Sequence, residues 1–350
     1  MKAYQIVEWG KPLEEREVPI PEPQGTEVLV KVVASGICHS DIHIWDGYFD
    51  LGGGEKITLE GRGVGLPFTM GHEVAGEVAA LGPEASGVSV GDRRIVFPWI
   101  GCGNCEVCQR GDELLCLTPR IIGTRKNGGY AEYCLVPDAK YLIDYEGVPD
   151  AHAATCACSG LTALSALKKV DFLRPADHLL IVGAGGVGLA AAGMAKSLVE
   201  AKLIVADIDP DKRAAALDAG ADAVIDNGEE DASAKLVEMT SGGPLAAIDF
   251  VGAPATSGLA IQSLARGGTL VVVGLYGGKL SLSLVMLPLK MLRIIGSYVG
   301  TLEEMHELMA LVKAGKVSPV PITERPLSKA PQAIADLRAG KTVGRYVLTA

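Results

Sequence analysis

Four cysteines in the first third of the chain have the spacing of a metal site. They fall within fifteen residues, with two, two and seven residues between them, at Cys102, Cys105, Cys108 and Cys116. Four thiolates can surround one tetrahedral Zn²⁺ at about 2.3 Å from each sulfur. Because such a shell leaves no open position, this zinc would hold a loop together and would not act on a substrate. The spacing predicts a structural zinc lobe over residues of about 98–120.

Cysteine and histidine recur in three other segments, where they stand further apart. Cys38 lies in Gly-Ile-Cys-His-Ser-Asp, His72 in Gly-His-Glu, and Cys158 in Ala-Cys-Ser-Gly. Two thiolates and an imidazole can hold a zinc ion whose fourth position stays open, and there the metal can polarise a bound oxygen. Each residue alone is also compatible with a buried cysteine or a hydrogen-bonded histidine that binds no metal. Only the combination indicates a reactive metal site.

A glycine-rich turn has the pattern of a dinucleotide-binding site. Gly-Ala-Gly-Gly-Val-Gly follows a predicted strand and opens a predicted helix, which predicts cofactor contacts at Gly183, Gly185, Gly186, Val187 and Gly188. Such glycines permit the tight bend, the approach of a pyrophosphate to the helix N-terminus, and close packing of helix on strand. Asp207 ends the next strand, where a carboxylate accepts bonds from a ribose 2′-hydroxyl and repels a 2′-phosphate. NAD is therefore favoured over NADP, although Lys212 and Arg213 leave tolerance for NADP open. A purely structural turn followed by a surface acid is the alternative.

Two patterns of secondary structure carry these sites. The first part of the chain reads as short β segments broken by glycine and proline, such as Val28–Val33 and Tyr130–Val136, which predicts a partly open, β-rich domain. From His178–Val182 onwards strands alternate with helices such as Val187–Leu198. This alternation predicts a parallel sheet with helices on both faces. The segment over 52–65 is rich in glycine and longer than a connecting loop needs.

Size and charge narrow the function classes. A chain of 350 residues with 48% hydrophobic residues and 44 glycines favours two α/β-type domains. The net charge of −10 makes nucleic acid an improbable partner, and no apolar run is long enough to span a membrane. The first residues lack the apolar core of a secretion signal. Eight cysteines without such a signal indicate a reducing compartment, which predicts a cytoplasmic protein.

The order of these motifs resembles that of the zinc-dependent medium-chain alcohol dehydrogenases. The similarity spans essentially the whole chain and is greatest to tetrameric bacterial and archaeal NAD-dependent members, with Cys-Ser-Gly-Leu-Thr over 158–162 matching the third-ligand segment. The resemblance implies an α/β fold in two domains. A GroES-like, partly open β-barrel catalytic domain would span 1–157 and 298–350, and a doubly wound Rossmann domain would span 158–297.

The resemblance also implies the metal ligands and a proton relay. The catalytic zinc ligands would be Cys38, His72 and Cys158, with Cys156 as an alternative to Cys158; the structural zinc ligands would be Cys102, Cys105, Cys108 and Cys116. Glu73 matches an acid near the metal. Ser40 would accept the substrate proton and His43 would deliver it to solvent, while Asp41 would fix the tautomer of His72. A turn-capping serine and a plain polar histidine are the alternatives for Ser40 and His43.

The remaining implied contacts concern the cofactor and the pocket. His39, Lys212 and Arg345 would meet the cofactor with positive charge, and Thr162 would lie near the nicotinamide. Apolar residues that follow strand ends would line the cofactor cleft, namely Val251, Val273 and Leu275. Trp99 and Phe49, with Trp45 and Tyr48, suggest an apolar pocket for medium, cyclic or benzylic alcohols, although interface or core packing accounts for them as well.

The expected activity is reversible hydride transfer between a primary or secondary alcohol and NAD, giving an aldehyde or ketone. The expected assembly is a homotetramer with two zinc ions per chain. A polyol, threonine or formaldehyde dehydrogenase of the same zinc family remains an alternative, because pocket chemistry is not readable from motifs. A zinc-free quinone reductase would lack both cysteine sets. A non-catalytic NAD-binding sensor would be expected to lose Cys38, His72 or Ser40.

Overall fold

The computed structural model of the protein describes residues 1–350. The strands are β1 (Lys2–Ile6), β2 (Glu14–Glu17), β3 (Val28–Gly36), β4 (Tyr48–Gly52), β5 (Glu55–Thr58), β6 (Phe68–Thr69), β7 (Glu73–Leu81), β8 (Arg93–Val96), β9 (Tyr133–Val136), β10 (Leu142–Asp144), β11 (His178–Val182), β12 (Lys202–Ala206), β13 (Ala223–Ile225), β14 (Ala246–Asp249), β15 (Thr269–Val272), β16 (Arg293–Gly296), β17 (Ile322–Pro326) and β18 (Arg345–Thr349). The α-helices are α1 (Ser40–Asp46), α2 (Glu106–Gln109), α3 (Asp150–Thr155), α4 (Leu161–Lys168), α5 (Gly186–Leu198), α6 (Pro210–Ala219), α7 (Ala232–Met239), α8 (Pro254–Ser263), α9 (Met286–Lys290), α10 (Leu302–Lys313) and α11 (Ala330–Arg338). A π-helical turn, Cys156–Gly160, joins α3 to α4.

A six-stranded parallel sheet has the order β13-β12-β11-β14-β15-β16. Counted from β11, this is the 3-2-1-4-5-6 order of dinucleotide-binding sheets, whose ligand lies where the order reverses, beside the first strand. Successive side chains of a strand point to opposite faces, and in β11 both faces are apolar. Leu179 shares a core cluster with Leu189 of α5, whereas Leu180 shares another with Leu236 of α7. Helices therefore cover both faces, and the predicted doubly wound sheet is confirmed.

A second, mixed sheet of seven strands has the order β10-β8-β7-β3-β18-β17, with β9 also paired to β3. The central strand β3 runs antiparallel to β7, β9 and β18, and only β17 and β18 are parallel. Val28, Val30 and Val32 of β3 are buried while Lys31 between them is exposed. This alternation gives the sheet an apolar inner face, as expected for the β-rich part of the chain.

The glycine-rich segment over 52–65 forms more structure than a loop. Strands β4 and β5 pair as an antiparallel hairpin, followed by the 3₁₀ turn Glu60–Arg62. The hairpin contacts the loop after β15, because a Cβ at Gly52 would lie 2.6 Å from the carbonyl carbon of Gly278. Lys279 on that loop also lies 3.2 Å from Glu55 of the hairpin. The small sheet of β2, β1 and β6 completes the β structure.

Among the helices, none has the length and apolar run that crossing a bilayer requires.

Candidate functional site

Four buried side chains meet where β3, β7 and the π-helical turn converge. The ligand atoms of Cys38, His72, Glu73 and Cys158 all lie within 4.8 Å of one another. The two sulfurs, of Cys38 and Cys158, are 3.9 Å apart. Two thiolates on one tetrahedral zinc would be separated by about 3.8 Å, given a bond of about 2.3 Å. The spacing of these groups therefore fits a zinc ion.

Strand pairing brings the first two groups together. Gly36 at the end of β3 is paired with Glu73 at the start of β7, so that Cys38 and His72 lie just beyond the same end of the pair. Glycine is needed at position 36, because a Cβ there would lie 2.0 Å from the Glu73 carboxylate. Cys158 comes from the π-helical turn, a rare geometry that is frequent at functional sites.

A buried carboxylate orients His72. Asp41 Oδ1 lies 3.1 Å from His72 Nδ1, and Asp41 Oδ2 accepts hydrogen bonds from the Cys38 main-chain nitrogen and the Tyr130 hydroxyl. This leaves His72 Nε2 to face the sulfurs, with Ser40 Oγ 3.4 Å from it. The contact of Tyr130 with Asp41 was not predicted from the sequence. Residues 130–136 were expected to form one strand, whereas β9 begins at Tyr133.

The two thiols of the cluster affect each other's ionisation. The neighbouring Cys158 sulfur lowers the pKa of Cys38 well below its usual value. The same contact, together with burial, raises the pKa of Cys158. The lowered pKa of Cys38 favours the thiolate, which is the form that binds zinc.

Cys156, the alternative ligand, lies outside this cluster. Its sulfur is directed to the main-chain oxygen of His152 at 3.4 Å. Burial raises its pKa to about 12. Cys134 of β9 is likewise buried in the core, and burial raises its pKa to about 12.

An ion pair joins the cluster to the glycine-rich turn. The Arg345 guanidinium of β18 donates to Glu73 Oε2, and the Ser159 main-chain nitrogen donates to Glu73 Oε1 at 3.1 Å. Burial raises the pKa of Glu73 to about 7, and Arg345 opposes that rise. The same arginine lies under the turn, since a Cβ at Gly186 would lie 2.2 Å from its Cδ. Arg345 Nε is buried without a partner, which fits an anion bound at the turn.

The turn itself has the geometry that a pyrophosphate requires. Gly183 has a φ of +94°, a left-handed conformation that favours glycine. A Cβ at Gly188 would lie 1.8 Å from the Gly183 oxygen, whereas a Cβ at Gly185 would meet nothing within 4 Å. Gly188 thus lets α5 pack closely against β11, and Gly185 leaves open space for a ligand. Val187 is the second residue of α5, whose N-terminus lies directly after Gly185 and offers free N–H groups to an anion.

Asp207 lies beside the turn at the end of β12. Its carboxylate accepts hydrogen bonds from the main-chain nitrogens of Ala184 at 2.7 Å and Asp209 at 2.9 Å. A carboxylate has about four acceptor positions, so two remain for a ribose. Lys212 follows in the first turn of α6, and its Nζ lies 3.9 Å from Asp209.

The other predicted cofactor contacts lie around the same cleft. Thr162 Oγ1 is buried without a partner in the protein, so it is available to a bound ligand. Val251 follows β14 and contacts Gly183, since a Cβ there would lie 2.6 Å from Val251 Cγ2. Val273 directly follows β15 and is half-buried, whereas Leu275 is exposed.

Helix α1 carries the relay candidates, although no helix was expected there. Ser40 and His43 are three residues apart and therefore share a face of α1. His43 Nε2 is buried without a partner, and the His43 ring lies 5.2 Å from Phe49 and 5.7 Å from His39. Burial lowers the pKa of His43, and the positive charge of His39 lowers it further.

Of the four aromatic residues suggested for the pocket, Trp99 contacts the metal cluster and Phe49 contacts the relay candidate His43. Trp99 is buried, its ring is 5.4 Å from His72, and its Nε1 donates to the Ala157 oxygen at 3.0 Å. Phe49 packs on His43, as described. Trp45 instead bonds to the Lys11 main-chain oxygen and stacks under Arg338, and Tyr48 packs under Lys56.

The four lobe cysteines form a second cluster, with all four sulfurs within 4.8 Å of one another. Cys105 Sγ is 3.4 Å from Cys108 and 3.9 Å from Cys116. Main-chain donors at Asn104 and Cys105 lower the pKa of Cys102 to about 6. The donor set and its compactness fit a closed tetrahedral zinc site.

A carboxylate that sequence reasoning missed anchors this lobe. Glu113 Oε2 accepts hydrogen bonds from the Gly101 main-chain nitrogen and from the Tyr141 hydroxyl, both at 2.8 Å. Lys140 lies 3.2 Å from the other oxygen of Glu113. No motif marks an acid with such a role, because its partners are distant in sequence.

Comparisons with known proteins agree with this arrangement. Residues 24–147 match the alcohol dehydrogenase GroES-like domain, and residues 186–314 match the zinc-binding dehydrogenase family. NAD-dependent alcohol dehydrogenases of Sulfurisphaera tokodaii and Saccharolobus solfataricus are each 40% identical over 350 residues, which is 99% of this chain and of theirs. The crystal structure of the alcohol dehydrogenase from the archaeon Aeropyrum pernix superposes with a TM-score of 0.92 at 30% identity, over 100% of both chains.

Proposed function

Since the chain belongs to the zinc-dependent medium-chain alcohol dehydrogenase family, we propose that it transfers hydride reversibly between a primary or secondary alcohol and NAD, giving an aldehyde or ketone. The observation that carries the proposal is the buried cluster of Cys38, His72 and Cys158, joined through Glu73 and Arg345 to the glycine-rich turn. That connection sets a metal-binding group beside a dinucleotide-binding group. Medium, cyclic and benzylic alcohols suit the aromatic surroundings of the cluster.

We assign two zinc ions to each chain. Cys38, His72 and Cys158 would hold the first, and Cys102, Cys105, Cys108 and Cys116 would hold the second. When bound, the first supplies Lewis acidity that favours loss of the alcohol proton, while NAD accepts the hydride. Asp41 holds His72 in the tautomer that presents Nε2. Arg345 and the first N–H groups of α5 bind the pyrophosphate, and Thr162 orients the nicotinamide end.

The proton leaves through the chain's own residues. Ser40 Oγ accepts the hydroxyl proton of the alcohol and passes one on, and His43 delivers it to solvent. His43 is suited to this step because its low pKa keeps it neutral, and so able to accept a proton, at neutral pH.

A substrate panel followed by NADH absorbance, with metal analysis of the same preparation, tests the proposal. We expect turnover of small alcohols and about two zinc ions per chain. One zinc per chain without turnover of any alcohol, aldehyde or ketone would contradict it.

Replacing His43 by glutamine should lower kcat/KM for alcohol oxidation by about tenfold. This loss is smaller than the loss expected on removing a typical general base, because water can substitute at the solvent end of a relay. The base form of His43 exists above its pKa, and that pKa lies below the ordinary 6.5. The His43-dependent rate should therefore persist below pH 6.5 in the natural protein, and the corresponding acid limb should vanish in the variant. A pH–rate profile unchanged by the substitution would exclude His43 from the relay.

Replacing Asp207 by glycine should relax the preference for NAD over NADP by about tenfold or more, because a charge facing the ribose 2′-position is removed. The ratio of kcat/KM for the two cofactors measures this. Asp209→Asn is the matched control, because that acid caps α6 and accepts from Asp211 at 2.9 Å. If the ratio stays the same in Asp207→Gly, the carboxylate does not face the ribose.

We further propose a homotetramer built from dimers. Strand β16 is an edge strand paired only with β15, and its Ile294 and Ile295 side chains are exposed. In the segment that precedes β16 in the chain, Leu284, Val285 and Leu289 are also exposed. An uncovered apolar edge of this kind is typical of strand pairing with a second copy across a two-fold axis. The tetramer is inferred from the family resemblance, and light scattering tests it.

The chain divides into two domains, and its cysteines indicate the compartment. We infer a catalytic domain over 1–157 and 298–350 and a cofactor domain over 158–297. We also infer a cytoplasmic location, because all eight cysteines are free thiols, six of which would serve as zinc ligands in a reducing compartment.

A further inference from the structure

Two residues that follow β12 favour opposite cofactors. Asp207 favours NAD, because a carboxylate that faces the ribose repels a 2′-phosphate. Arg213 comes six residues later, and an arginine near this position is the group that accommodates the 2′-phosphate of NADP. The cofactor preference therefore depends on whether the Arg213 guanidinium is free to bind a phosphate.

The Arg213 guanidinium is held by two oxygens of the protein. Its Nη1 donates to the Asp207 main-chain oxygen at 2.7 Å and lies 2.9 Å from Asp226 Oδ2. The side chains of Arg213 and Asp226 are 20% and 30% exposed, so both are largely enclosed. To reach a phosphate, Arg213 would have to give up this ion pair and leave the Asp226 carboxylate unpaired beside a second anion. Like charges at that distance repel each other.

Strand register places Asp226 next to Asp207. Strands β12 and β13 are parallel and end opposite each other, so each of these acids directly follows a strand end at the edge of the sheet where a dinucleotide binds. The Asp207 main-chain nitrogen donates to the Ile225 oxygen at 3.2 Å, which joins the two strand ends. Asp226 Oδ1 accepts from the Gly228 main-chain nitrogen at 2.8 Å. The carboxylate is therefore fixed by its own loop while its other oxygen holds Arg213.

We propose that Asp226 is a positioning residue for cofactor choice, which neutralises Arg213 and keeps it from binding a 2′-phosphate, so that the protein selects NAD. Asp207 repels the 2′-phosphate directly, whereas Asp226 acts through the arginine that would otherwise bind it. Removing the charge of Asp226 releases the arginine and admits NADP. This inference rests on the proposed function, because it concerns the cofactor of the same cleft.

Asp226→Asn tests the proposal in the zinc-loaded enzyme with NAD and NADP. Asparagine keeps an oxygen for the Gly228 nitrogen but carries no charge, so the loop is retained while the ion pair is lost. The ratio of kcat/KM for NADP to that for NAD should rise about tenfold, because a hydrogen bond between charged groups is gained. The gain should lie in KM for NADP and not in kcat, since the 2′-phosphate is remote from the reacting carbon.

An acid at the other end of the same strand is the matched control. Asp222 precedes β13, accepts from the Leu203 main-chain nitrogen at 2.8 Å and lies 3.2 Å from Lys196. It thus has the same kind of partners as Asp226, at the edge of the sheet opposite the dinucleotide. Asp222→Asn should keep the cofactor ratio of the natural protein. An equal rise of the ratio in both variants would overturn the inference.

A second substitution distinguishes release of the arginine from simple removal of a negative charge. Adding Arg213→Gln to Asp226→Asn should cancel the gain in NADP use, because no guanidinium remains to bind the phosphate. Adding Asp207→Gly to Asp226→Asn should enlarge the gain, because the direct repulsion is removed as well. A gain that survives Arg213→Gln would show that Asp226 does not act through the arginine, and would overturn the inference.

Calorimetric titration with adenosine 5′-monophosphate and adenosine 2′,5′-bisphosphate gives a readout independent of turnover. The natural protein should bind the monophosphate more tightly, and Asp226→Asn should shift the ratio of the two Kd values about tenfold towards the bisphosphate. If this shift is found while no alcohol, aldehyde or ketone is turned over, the inference stands and the proposed function fails. If the ratio is the same in Asp226→Asn as in the natural protein, the inference is overturned and the dehydrogenase activity is left standing.

Discussion

Replacing His72 by alanine should lower the rate of alcohol oxidation by about 10³-fold or more, because Lewis-acid stabilisation supplies several kcal/mol to the barrier and each 1.36 kcal/mol is worth a factor of ten. Without this imidazole only the sulfurs of Cys38 and Cys158 remain, together with a carboxylate already held by Arg345. The zinc content should fall by about one ion per chain while the lobe keeps its own. NADH absorbance and metal analysis of the same sample measure both effects.

Two neighbouring cysteines provide a sharp control for this prediction. Cys158→Ser should resemble His72→Ala, because its sulfur faces Cys38 at 3.9 Å. Cys156→Ser should retain activity and zinc, because that sulfur is directed to the His152 oxygen. A loss in Cys156→Ser as large as in Cys158→Ser would contradict the assignment of the third ligand.

Replacing Arg345 by methionine should destabilise the protein by about 3–5 kcal/mol at alkaline pH, because it leaves the Glu73 carboxylate buried without its countercharge. Near pH 7 the loss should be smaller, because burial already raises the pKa of Glu73 to about 7 and the carboxyl can take up a proton. Both side chains are buried, and the ion pair links β7 to β18. Denaturant unfolding followed by circular dichroism measures the loss. The affinity for NAD should fall as well, because the same guanidinium lies beneath Gly186.

A surface ion pair serves as the control for this loss of charge. Lys168 lies 2.6 Å from Glu307, with the two side chains 39% and 42% exposed. Lys168→Met should therefore cost less than about 1 kcal/mol. Adding Glu73→Gln to Arg345→Met should restore part of the lost stability, since the uncompensated charge is removed. If Arg345→Met alone unfolds at the same denaturant concentration as the natural protein, Glu73 is neutral in the folded protein.

Motifs that are contained in a short stretch of sequence predicted the structure well. Strand β11 was predicted with its observed bounds, since an apolar run followed directly by a glycine-rich turn has few other conformations. The turn and α5 followed from the same short stretch. Cys102 and its three partners lie close in sequence, so their meeting in space needed little beyond the chain itself.

The contacts that the sequence did not predict depend on distant parts of the chain. Glu73 and Arg345 were each expected near a ligand, but their pairing across 272 residues follows only from the order of strands in the mixed sheet. Helix α1 was missed because seven residues are too few to show a period clearly. Trp45 was expected near the pocket, yet helical geometry turns it away from His43 towards Arg338.

The position of β18 in the mixed sheet sets an order for folding during synthesis. The parallel sheet uses strands that follow one another along the chain, so it can assemble while later residues are still being made. The mixed sheet is completed later, because β3 pairs with β18 as well as with β7 and β9, and pairings so remote in sequence form slowly. Arg345 sits on that late strand. A nascent chain therefore holds its nucleotide half and its metal half as separate pieces, and they become one working unit only when this last strand is inserted.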